Sequence, residues 1–253
     1  IMIMALQEEI ESQGNWLFCR RSFLPLVALP AGIAAMLFVI HSSGILFSSA
    51  VHHWHAYECL CFGTSLAGLF VRAYTVGHTP VGTSGRNTER QVADGLNTMD
   101  AYSVVRHPLY LGNCLMWLGI AMLTCNAAFV AVFALCYWLY YERIMFAEEQ
   151  FLRRKFGVAY LDWAGRTPAF LPDFRHYRAS GIAFSWKKVV KKEKNGVFAL
   201  FLLFTLFDII VYWQVASVSL NLPLYVATAI SGIAYFVLKY VKSHTKLLDE
   251  QGR

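Results

Sequence analysis

Long apolar runs, separated by polar connections, dominate the chain. Runs that could cross a bilayer cover residues 23–47, 57–76, 109–123, 127–146, 196–217 and 222–241. A membrane-spanning helix needs about 20 predominantly apolar residues, with roughly 17–25 usual. The pattern therefore predicts an all-α integral membrane protein with about six transmembrane helices.

The third run, residues 109–123, is short for a span. At about 1.5 Å per residue it rises only ~22 Å, so it is either shielded by its neighbours or extended by the preceding turn. Only residues 124–126 separate it from the fourth run, and so short a connection requires two antiparallel neighbouring helices. We therefore predict a short helical hairpin near the centre of the chain.

The placement of basic residues predicts which side of the membrane each connection faces. None of the 22 Lys and Arg residues falls in the connections 48–56, 124–126 and 218–221. Cytoplasmic connections carry an excess of Lys and Arg. Both termini and the two long connections, 77–106 and 147–195, are therefore predicted to lie on the cytoplasmic side.

Composition agrees with a membrane protein. Of the 253 residues, 57% are hydrophobic and 15% are charged, and the mean hydropathy is +0.45. Soluble domains are about 45–50% apolar and roughly 25% charged. The net charge of +6 does not indicate nucleic-acid binding, because the basic residues lie beside apolar runs rather than on a soluble domain.

A cluster of polar residues begins the third apolar run. Arg106 and His107 precede Pro108, and proline suits the first position of a helix because of its fixed φ and missing N–H. The free N–H groups of this helix start, together with Arg106, could hold a carboxylate or phosphate at the cytoplasmic interface. Tyr110, two residues further on, could stack on a ring or donate a hydrogen bond.

Glu148 and Glu149 follow the fourth run, which returns to the same face. Adjacent carboxylates repel each other unless a cation lies between them or one stays protonated. Alone, such a pair is more typical of a solvated helix face, and an Arg-His-Pro segment alone could be a basic anchor. Together they predict a pocket with one positive and one negative wall, suited to a zwitterionic ligand that carries extra positive charge.

The order and spacing of these motifs resemble those of a known superfamily. Over about residues 94–173, the chain resembles the catalytic half of the isoprenylcysteine carboxyl methyltransferases and phospholipid methyltransferases. The resemblance rests on Arg106-His107-Pro108-Leu109-Tyr110-Leu111-Gly112, the hairpin, Glu148-Glu149, Phe156-Gly157, Tyr160 and Pro168…Pro172. It implies S-adenosylmethionine bound from the cytoplasm and a lipid or lipidated acceptor that enters from the bilayer.

The resemblance also implies roles for individual residues. The residues implied to surround the cofactor or to hold its positive end are His107, Pro108, Leu109, Tyr110, Glu148 and Glu149. Arg106 would orient the acceptor oxygen during catalysis. Glu148 is the second catalytic candidate: an amine acceptor would need a base to remove its proton, and Glu148 or Glu149 could be that base.

One position departs from the superfamily pattern and bears on the acceptor. The carboxyl-methylating members place a substrate-binding arginine four residues before a motif glutamate, where this chain has Ile144. Arg143 is one residue away and on a different helical face, which weakens the case for a prenylcysteine carboxylate. Arg106 and the basic residues 187–192, which are typical of an interfacial helix on anionic headgroups, favour an anionic acceptor.

We therefore expect methylation of an anionic oxygen, on a lipid phosphate or an isoprenylcysteine-like carboxylate. N-methylation of a phospholipid amine is the alternative. The chain then divides into an N-terminal two-span membrane region (1–76), a catalytic methyltransferase core (77–195) and a C-terminal two-span membrane region (196–253).

Two other functions compete with this interpretation. A membrane sterol-type reductase would bind NADPH, but Glu148 and Glu149 would repel its phosphates. A transporter usually has two similar halves and helices broken at mid-membrane, whereas the polar groups here collect at one face. Both alternatives are therefore less favoured than a methyltransferase.

Several polar residues lie outside this constellation. Asp208 falls in the middle of the fifth run, where a charge indicates a functional residue with a tyrosine or water as partner. Glu58, near a span end, is expected to reach the membrane interface. His52, His53 and His55 are more typical of an interfacial His/Trp cluster than of a metal site, and no cysteine pair has CxxC spacing. We therefore predict no metal centre.

Overall fold

The structure, a computed structural model, describes residues 5–21, 24–42, 53–80, 91–215, 218–245 and 247–248. Over these residues it contains α-helices and a 3₁₀ turn at Phe174–His176, and no strand. The helices, numbered in chain order over this part, are α1 Leu6–Arg20, α2 Leu24–His41, α3 Trp54–His78, α4 Ala101–Val104, α5 Pro108–Met122, α6 Ala127–Phe156, α7 Val158–Ala164, α8 Trp186–Gln214 and α9 Leu222–His244. The all-α prediction is confirmed.

Six of these helices correspond to the six predicted apolar runs. Four of them, α3, α6, α8 and α9, are long and apolar enough to cross a membrane, whereas α2 and α5 are shorter apolar helices. The first predicted run continues to residue 47, and its last residues lie outside the part that the structure describes.

Local signals in the sequence explain where several helices begin and end. The side chains of Asn126, Ser185 and Asn221 accept hydrogen bonds from backbone N–H groups in the first turns of α6, α8 and α9. At the other end of α6, Gly157 has a φ of +54°, which a glycine adopts without strain. Gly157 therefore ends α6, the helix that continues the fourth apolar run.

Small residues allow α3 and α5 to pack closely, and this is the most extensive helix contact of the described part. A Cβ added at Gly119 would lie 2.3 Å from the Cys61 carbonyl oxygen, and one at Gly68 would lie 2.4 Å from the Gly112 carbonyl oxygen. Such close backbone approach is typical of helix pairs in membranes. These contacts make α3 and α5 antiparallel.

The bundle consequently has two distinct ends. The motif end gathers the C-terminal half of α3, the start of α5, the C-terminal part of α6 and the start of α8. The far end gathers the start of α3, the hairpin turn at 123–126, and the connection between α8 and α9. The long basic connections therefore share one end of the bundle, in agreement with the arrangement that the basic residues predict.

Two expectations from the sequence need correction. The basic segment 187–192 is helical, as expected, but it is the start of α8, and Lys188 is buried rather than directed to headgroups, with its Nζ donating to Thr79 Oγ1 at 3.1 Å. Glu58 does not reach the membrane interface, because it is only 2% exposed. In both cases, contacts with residues that are distant in sequence bury a charged side chain that would otherwise be expected at the protein surface. The division of the chain into three regions stays a prediction.

Candidate active site

A proline-rich segment holds the chain where it enters α5. The backbone N–H groups of Arg106 and His107 donate to the carbonyl oxygens of Pro168, at 2.8 Å, and Ala169, at 3.2 Å. His107 takes the N-cap position, and α5 begins at Pro108 as predicted. The motif around Pro168 thus positions the motif around His107 through the backbone.

The start of α5 offers fewer free N–H groups than the sequence suggests. The N–H groups of Tyr110 and Leu111 both donate to the carbonyl oxygen of His107, each at 3.1 Å. Leu109 is half-buried and contributes an apolar side chain. The positive character of this helix start therefore rests mainly on the side chain of Arg106.

Glu149 lies against both positively ionisable residues of the motif. Its Oε1 is 3.0 Å from His107 Nε2 and 3.3 Å from Arg106 Nε. The side chain of His107 is 5% exposed, and that of Glu149 is 24% exposed. Burial strengthens this contact relative to a surface ion pair, because less water screens it.

Glu148 has a different environment. Its Oε2 accepts a hydrogen bond from the Tyr110 hydroxyl at 2.8 Å and lies 3.7 Å from His107 Nδ1. The rings of His107 and Tyr110 stack, with centroids 5.5 Å apart. His107 is therefore placed between the two carboxylates, and Glu148 is the one that lacks a guanidinium partner within the described residues.

The positive and negative walls that the sequence predicts are in contact. Arg106, His107, Tyr110, Glu148 and Glu149 lie together at the motif end, but His107 and Glu149 are hydrogen-bonded rather than separated by a cleft. A ligand that uses both walls must insert beside this pair or separate it. The roles of the individual residues stay predictions.

Aromatic side chains support Tyr110 from within the bundle. The Tyr137 hydroxyl donates to the Tyr110 carbonyl oxygen at 2.9 Å, and the Tyr141 ring lies 5.0 Å from that of Tyr110. Phe18 of α1 packs into the same cluster, and the guanidinium of Arg21 lies 3.7 Å from its ring centroid. No motif in the sequence indicates a role for Arg21, because only the packing of α1 brings it to this cluster.

A buried ion pair next to the site was also missed. Arg72 donates from Nε and Nη2 to the two carboxylate oxygens of Glu193, at 2.9 and 2.8 Å. It donates a third bond, from Nη1, to Asn113 Oδ1 at 2.7 Å. Charged residues within apolar helices are a signal in the sequence, but the sequence does not show that Arg72 and Glu193 pair, because their sequence separation is 121.

The acceptor-binding arginine of the carboxyl-methylating pattern is absent from its position. Ile144 is fully buried in the aromatic cluster. Arg143 donates from Nε to Gln13 Oε1 of α1 at 2.9 Å, which directs its guanidinium away from Glu148. The structure thus supports the departure that the sequence indicates.

Tyr102 links the site to a cavity of about 160 Å³. The cavity lies between the C-terminal end of α3 and residues 96–102, and its lining includes His78, Asp100 and Ser180. Burial raises the pKa of Tyr102, and the charge of Glu148 raises it further. The Tyr102 phenol is therefore a neutral hydroxyl close to Glu148.

Another tyrosine, Tyr160, is buried and lies next to Glu149. Burial raises the pKa of Tyr160, and the charge of Glu149 raises it further, so the phenol stays protonated. The hydroxyl of Tyr160 and the Nε of Arg106 are buried and make no hydrogen bond of good geometry within the described residues. Such groups are rare in folded proteins and often mark a place where a ligand binds.

Comparisons with known proteins fall on the same part of the chain. The sequence profile of the family described as "Phospholipid methyltransferase" matches residues 51–159. This range contains α3, α5, the hairpin and the pair Glu148-Glu149. No solved structure gives a significant match.

Three relatives illustrate the range of similar proteins. The cobalt-zinc-cadmium resistance protein CzcN of Cupriavidus metallidurans is 39% identical over 95 residues, 38% of this chain and 41% of that protein. Protein-S-isoprenylcysteine O-methyltransferase B of Arabidopsis thaliana is 27% identical over 135 residues, 51% of this chain and 65% of that protein. The protein-S-isoprenylcysteine O-methyltransferase of Schizosaccharomyces pombe is 29% identical over 129 residues, 51% of this chain and 52% of that protein.

The chain spans about two fifths of the length of the first relative and less than two thirds of the other two. The similarity therefore describes the helical core around the candidate site. The family profile, the relatives and the order of the motifs agree on one assignment. Through this core, the chain is similar to the isoprenylcysteine carboxyl methyltransferase and phospholipid methyltransferase superfamily.

Proposed function

We propose that the chain is an S-adenosylmethionine-dependent methyltransferase that methylates a lipid or lipidated acceptor at the cytoplasmic face of a membrane. The observation that carries the proposal is the contact between Arg106, His107, Tyr110 and the pair Glu148-Glu149 at one end of the bundle. These residues lie on the helices that the family profile matches or directly before them.

The charges of the site fit the methyl donor. S-adenosylmethionine supplies, when bound, a methyl group on a sulfonium cation. Glu148 is the better placed of the two carboxylates for the positive end of this cofactor, because Glu149 is already engaged by His107 and Arg106. The buried hydroxyl of Tyr160 makes no hydrogen bond of good geometry within the described residues, and Arg106 Nε contacts Glu149 at 3.3 Å without one, so both offer further polar atoms to a ligand.

The size of the site adds one requirement. The cavity of about 160 Å³ beside Tyr102 is smaller than the roughly 300–1,000 Å³ of typical ligand pockets. Neither His107 nor Glu149 lines this cavity, and the two residues are hydrogen-bonded to each other. We expect that cofactor binding widens this cavity towards Glu148 and loosens that contact.

An anionic oxygen is the acceptor atom that the charges favour. Arg106 can orient an oxyanion. Methyl transfer to such an oxygen needs no base, because the oxygen carries no proton. Attack of an anion on a sulfonium reduces charge in the transition state, so a site poor in water assists the step. Correct alignment of the two reactants contributes several kcal/mol more.

The names of the relatives leave two acceptor classes to be distinguished. The family profile names a phospholipid methyltransferase, and two relatives are named isoprenylcysteine O-methyltransferases. Buried Ile144, in place of the acceptor arginine, disfavours the prenylcysteine carboxylate and leaves a lipid phosphate as the preferred acceptor. An amine acceptor would require a base, and Glu148 is the candidate for that role.

A binding measurement tests the cofactor first. The full chain, purified in detergent, is titrated with S-adenosylhomocysteine and, separately, with NADPH. Binding of S-adenosylhomocysteine supports the proposal. Binding of NADPH alone would instead support a reductase and contradict it.

A transfer assay then tests the acceptor. Purified protein, labelled S-adenosylmethionine and extracted lipids are incubated, and mass spectrometry locates the added methyl group on oxygen or nitrogen. We expect loss of transfer in Arg106→Ala and Glu148→Gln. The matched controls are Arg153→Ala and Glu142→Gln, which change exposed residues of α6. Normal transfer by Arg106→Ala and Glu148→Gln would refute the site, and a methylated amine would refute the oxygen acceptor.

A further inference from the structure

Three side chains that commonly bind metals meet at the far end of the bundle. His55 and Glu58 lie one turn apart at the start of α3, and Asp208 lies on α8. One ligand atom of each residue lies within 4.8 Å of the other two. Along α3, Glu58 is about 20 Å from Arg72 at ~1.5 Å per residue, so the cluster is separate from the candidate active site.

Both carboxylates of the cluster are buried. Glu58 is 2% exposed and Asp208 is 0% exposed. Carboxylates removed from water are costly to keep ionised unless a cation or several hydrogen bonds compensate them. The groups that face them therefore decide what the cluster can bind.

The groups that donate hydrogen bonds to these carboxylates are neutral. Trp54 Nε1 donates to Asp208 Oδ1 at 3.2 Å, and the backbone N–H of Asn221 donates to Asp208 Oδ2 at 3.2 Å. The side-chain amide of Asn221 donates to Glu58 Oε2 at 2.7 Å. Within the described part of the chain, the one positively ionisable group against either carboxylate is His55, with Nδ1 3.7 Å from Glu58 Oε2.

Unsatisfied polar atoms point to a ligand in this cluster. Three atoms here are buried and have no hydrogen-bond partner among the described residues: His55 Nδ1, Glu58 Oε1 and the Tyr225 hydroxyl. A carboxylate oxygen and an imidazole nitrogen of one cluster, each without a hydrogen-bond partner, are well arranged to share a cation.

We propose that His55, Glu58 and Asp208 bind a divalent transition-metal cation such as Zn²⁺. One imidazole and two carboxylates are ligands typical of zinc and its neighbours, and three protein ligands leave coordination positions for water. Trp54 and Asn221 orient the carboxylates, as outer partners of metal ligands commonly do. The His55 side chain is 44% exposed, which gives an ion a path from the surface.

This site goes beyond the proposed methyl transfer and does not depend on it. It also differs from the expectation of no metal centre, which considered the neighbouring histidines alone. His52 lies outside the described residues, and His53 is exposed, whereas Glu58 and Asp208 come from distant parts of the sequence.

Metal titration of the purified full chain tests the proposal. After treatment with a chelator, the protein in detergent is titrated with Co²⁺, whose visible absorption reports coordination, and Zn²⁺ is then added as a competitor. We expect one Co²⁺ per chain, displaced by Zn²⁺. His55→Ala and Glu58→Gln should weaken Co²⁺ binding by roughly 100-fold or more, because each removes a direct ligand.

His53→Ala is the matched control, because it removes an exposed imidazole two positions from His55. It should bind Co²⁺ as the unchanged chain does. Circular dichroism and gel filtration verify that each variant is folded. As a second measurement, Zn²⁺ should raise the Tm of the unchanged chain and of His53→Ala, but not that of Asp208→Asn, since a ligand that binds only the folded state stabilises it.

Three results would overturn the proposal. The first is no Co²⁺ binding by the unchanged, folded chain. The second is undiminished binding in folded His55→Ala and Glu58→Gln. The third is equal loss in His53→Ala and His55→Ala, which would place the ion on surface histidines rather than in the cluster.

Discussion

The two ends of the bundle differ in the groups that contact their carboxylates. At the motif end, Glu193 is held by two N–H groups of Arg72, and Glu149 Oε1 lies 3.3 Å from Arg106 Nε. At the far end, Asp208 is fully buried and accepts hydrogen bonds from neutral donors. A carboxylate with its own cation forms a structural pair, whereas one that meets neutral donors retains the capacity to bind a ligand cation.

The largest expected effect tests the structural pair. Arg72→Met should lower the free energy of unfolding by about 3–5 kcal/mol, because it leaves buried Glu193 without a cation. The double variant Arg72→Met/Glu193→Met should recover much of this loss. Unfolding in denaturant, with the exposed Arg153→Met as control, measures the effect. A small loss in the single variant would show that water already solvates Glu193.

Removal of the charge at the far end should cost much less stability and completes this comparison. In metal-free protein, Asp208→Asn should destabilise the chain far less than Arg72→Met does, because removal of a buried charge offsets the hydrogen bond that is lost when the new NH2 group faces an N–H donor. A marked fall in Tm without metal would mean that Asp208 is a structural residue like Glu193.

The second prediction concerns the motif end as a catalytic site. Glu149→Gln should reduce methyl transfer about 100-fold, which corresponds to ~2.7 kcal/mol, because it weakens the contact that positions His107 and Arg106. Glu142→Gln, on an exposed position of α6, is the control. Full activity of Glu149→Gln would show that methyl transfer does not require the Glu149 carboxylate, and Glu148 alone would remain as the acidic residue of the site.

The third prediction tests the packing that joins the two ends. Gly119→Ala should destabilise the chain by about 1–3 kcal/mol, because its Cβ would lie 2.3 Å from the Cys61 carbonyl oxygen. Gly63→Ala, where a Cβ meets nothing within 4 Å, should be neutral or slightly stabilising. Thermal unfolding of both variants measures the difference, and equal Tm values would contradict the close approach of α3 and α5.

The fourth prediction separates a binding role from a packing role for Tyr110. Tyr110→Phe removes the hydrogen bond to Glu148 and keeps the ring in the aromatic cluster. We expect S-adenosylhomocysteine to bind up to about 10-fold more weakly, which corresponds to ~1.4 kcal/mol. Tyr212→Phe, an exposed position on α8, is the control. Unchanged affinity would show that Tyr110 serves packing alone.

The smallest expected effect on stability comes from the loss of a surface contact near the motif end, the pair Glu11–Arg154. Hydrogen bonding to Arg154 holds the pKa of Glu11 below its ordinary value. The stability that this pair contributes is therefore present at neutral pH and is lost as the pH falls through the lowered pKa of the folded state. Glu11→Gln should cost less than ~1 kcal/mol at pH 7. Denaturant unfolding at several pH values measures this cost, and the difference in stability between Glu11→Gln and the unchanged chain should vanish in acid. The control variant Glu8→Gln should have the stability of the unchanged chain at each pH.

Much of the helical architecture follows from local sequence signals. The hydrophobic runs predicted six apolar helices, and Pro108, Asn126 and Gly157 mark helix ends that the structure shows at those positions. The short hairpin turn required α5 and α6 to be antiparallel neighbours. These features need only nearby residues, so they can be read from the sequence.

The site could be predicted in part. Arg106, His107, Tyr110 and the two glutamates were identified because the hairpin brings both motifs to one end. Their direct contact was not predicted, because sequence spacing does not give the rotation of α5 against α6. Arg72 and Glu193 were not paired for the same reason, since 121 positions separate them.

The sequence by itself determined the apolar helices, their ends, the common end of the basic connections and the residues that meet around the hairpin. These features follow from hydrophobic burial and backbone hydrogen bonding over short stretches of chain. The tertiary structure alone decided which carboxylates meet a cation: Glu193 meets Arg72 and Glu149 meets Arg106, whereas the carboxylates of the far end accept hydrogen bonds from neutral donors. Electrostatic pairing depends on distances of a few ångströms between helices that are far apart in sequence, and only their packing sets those distances.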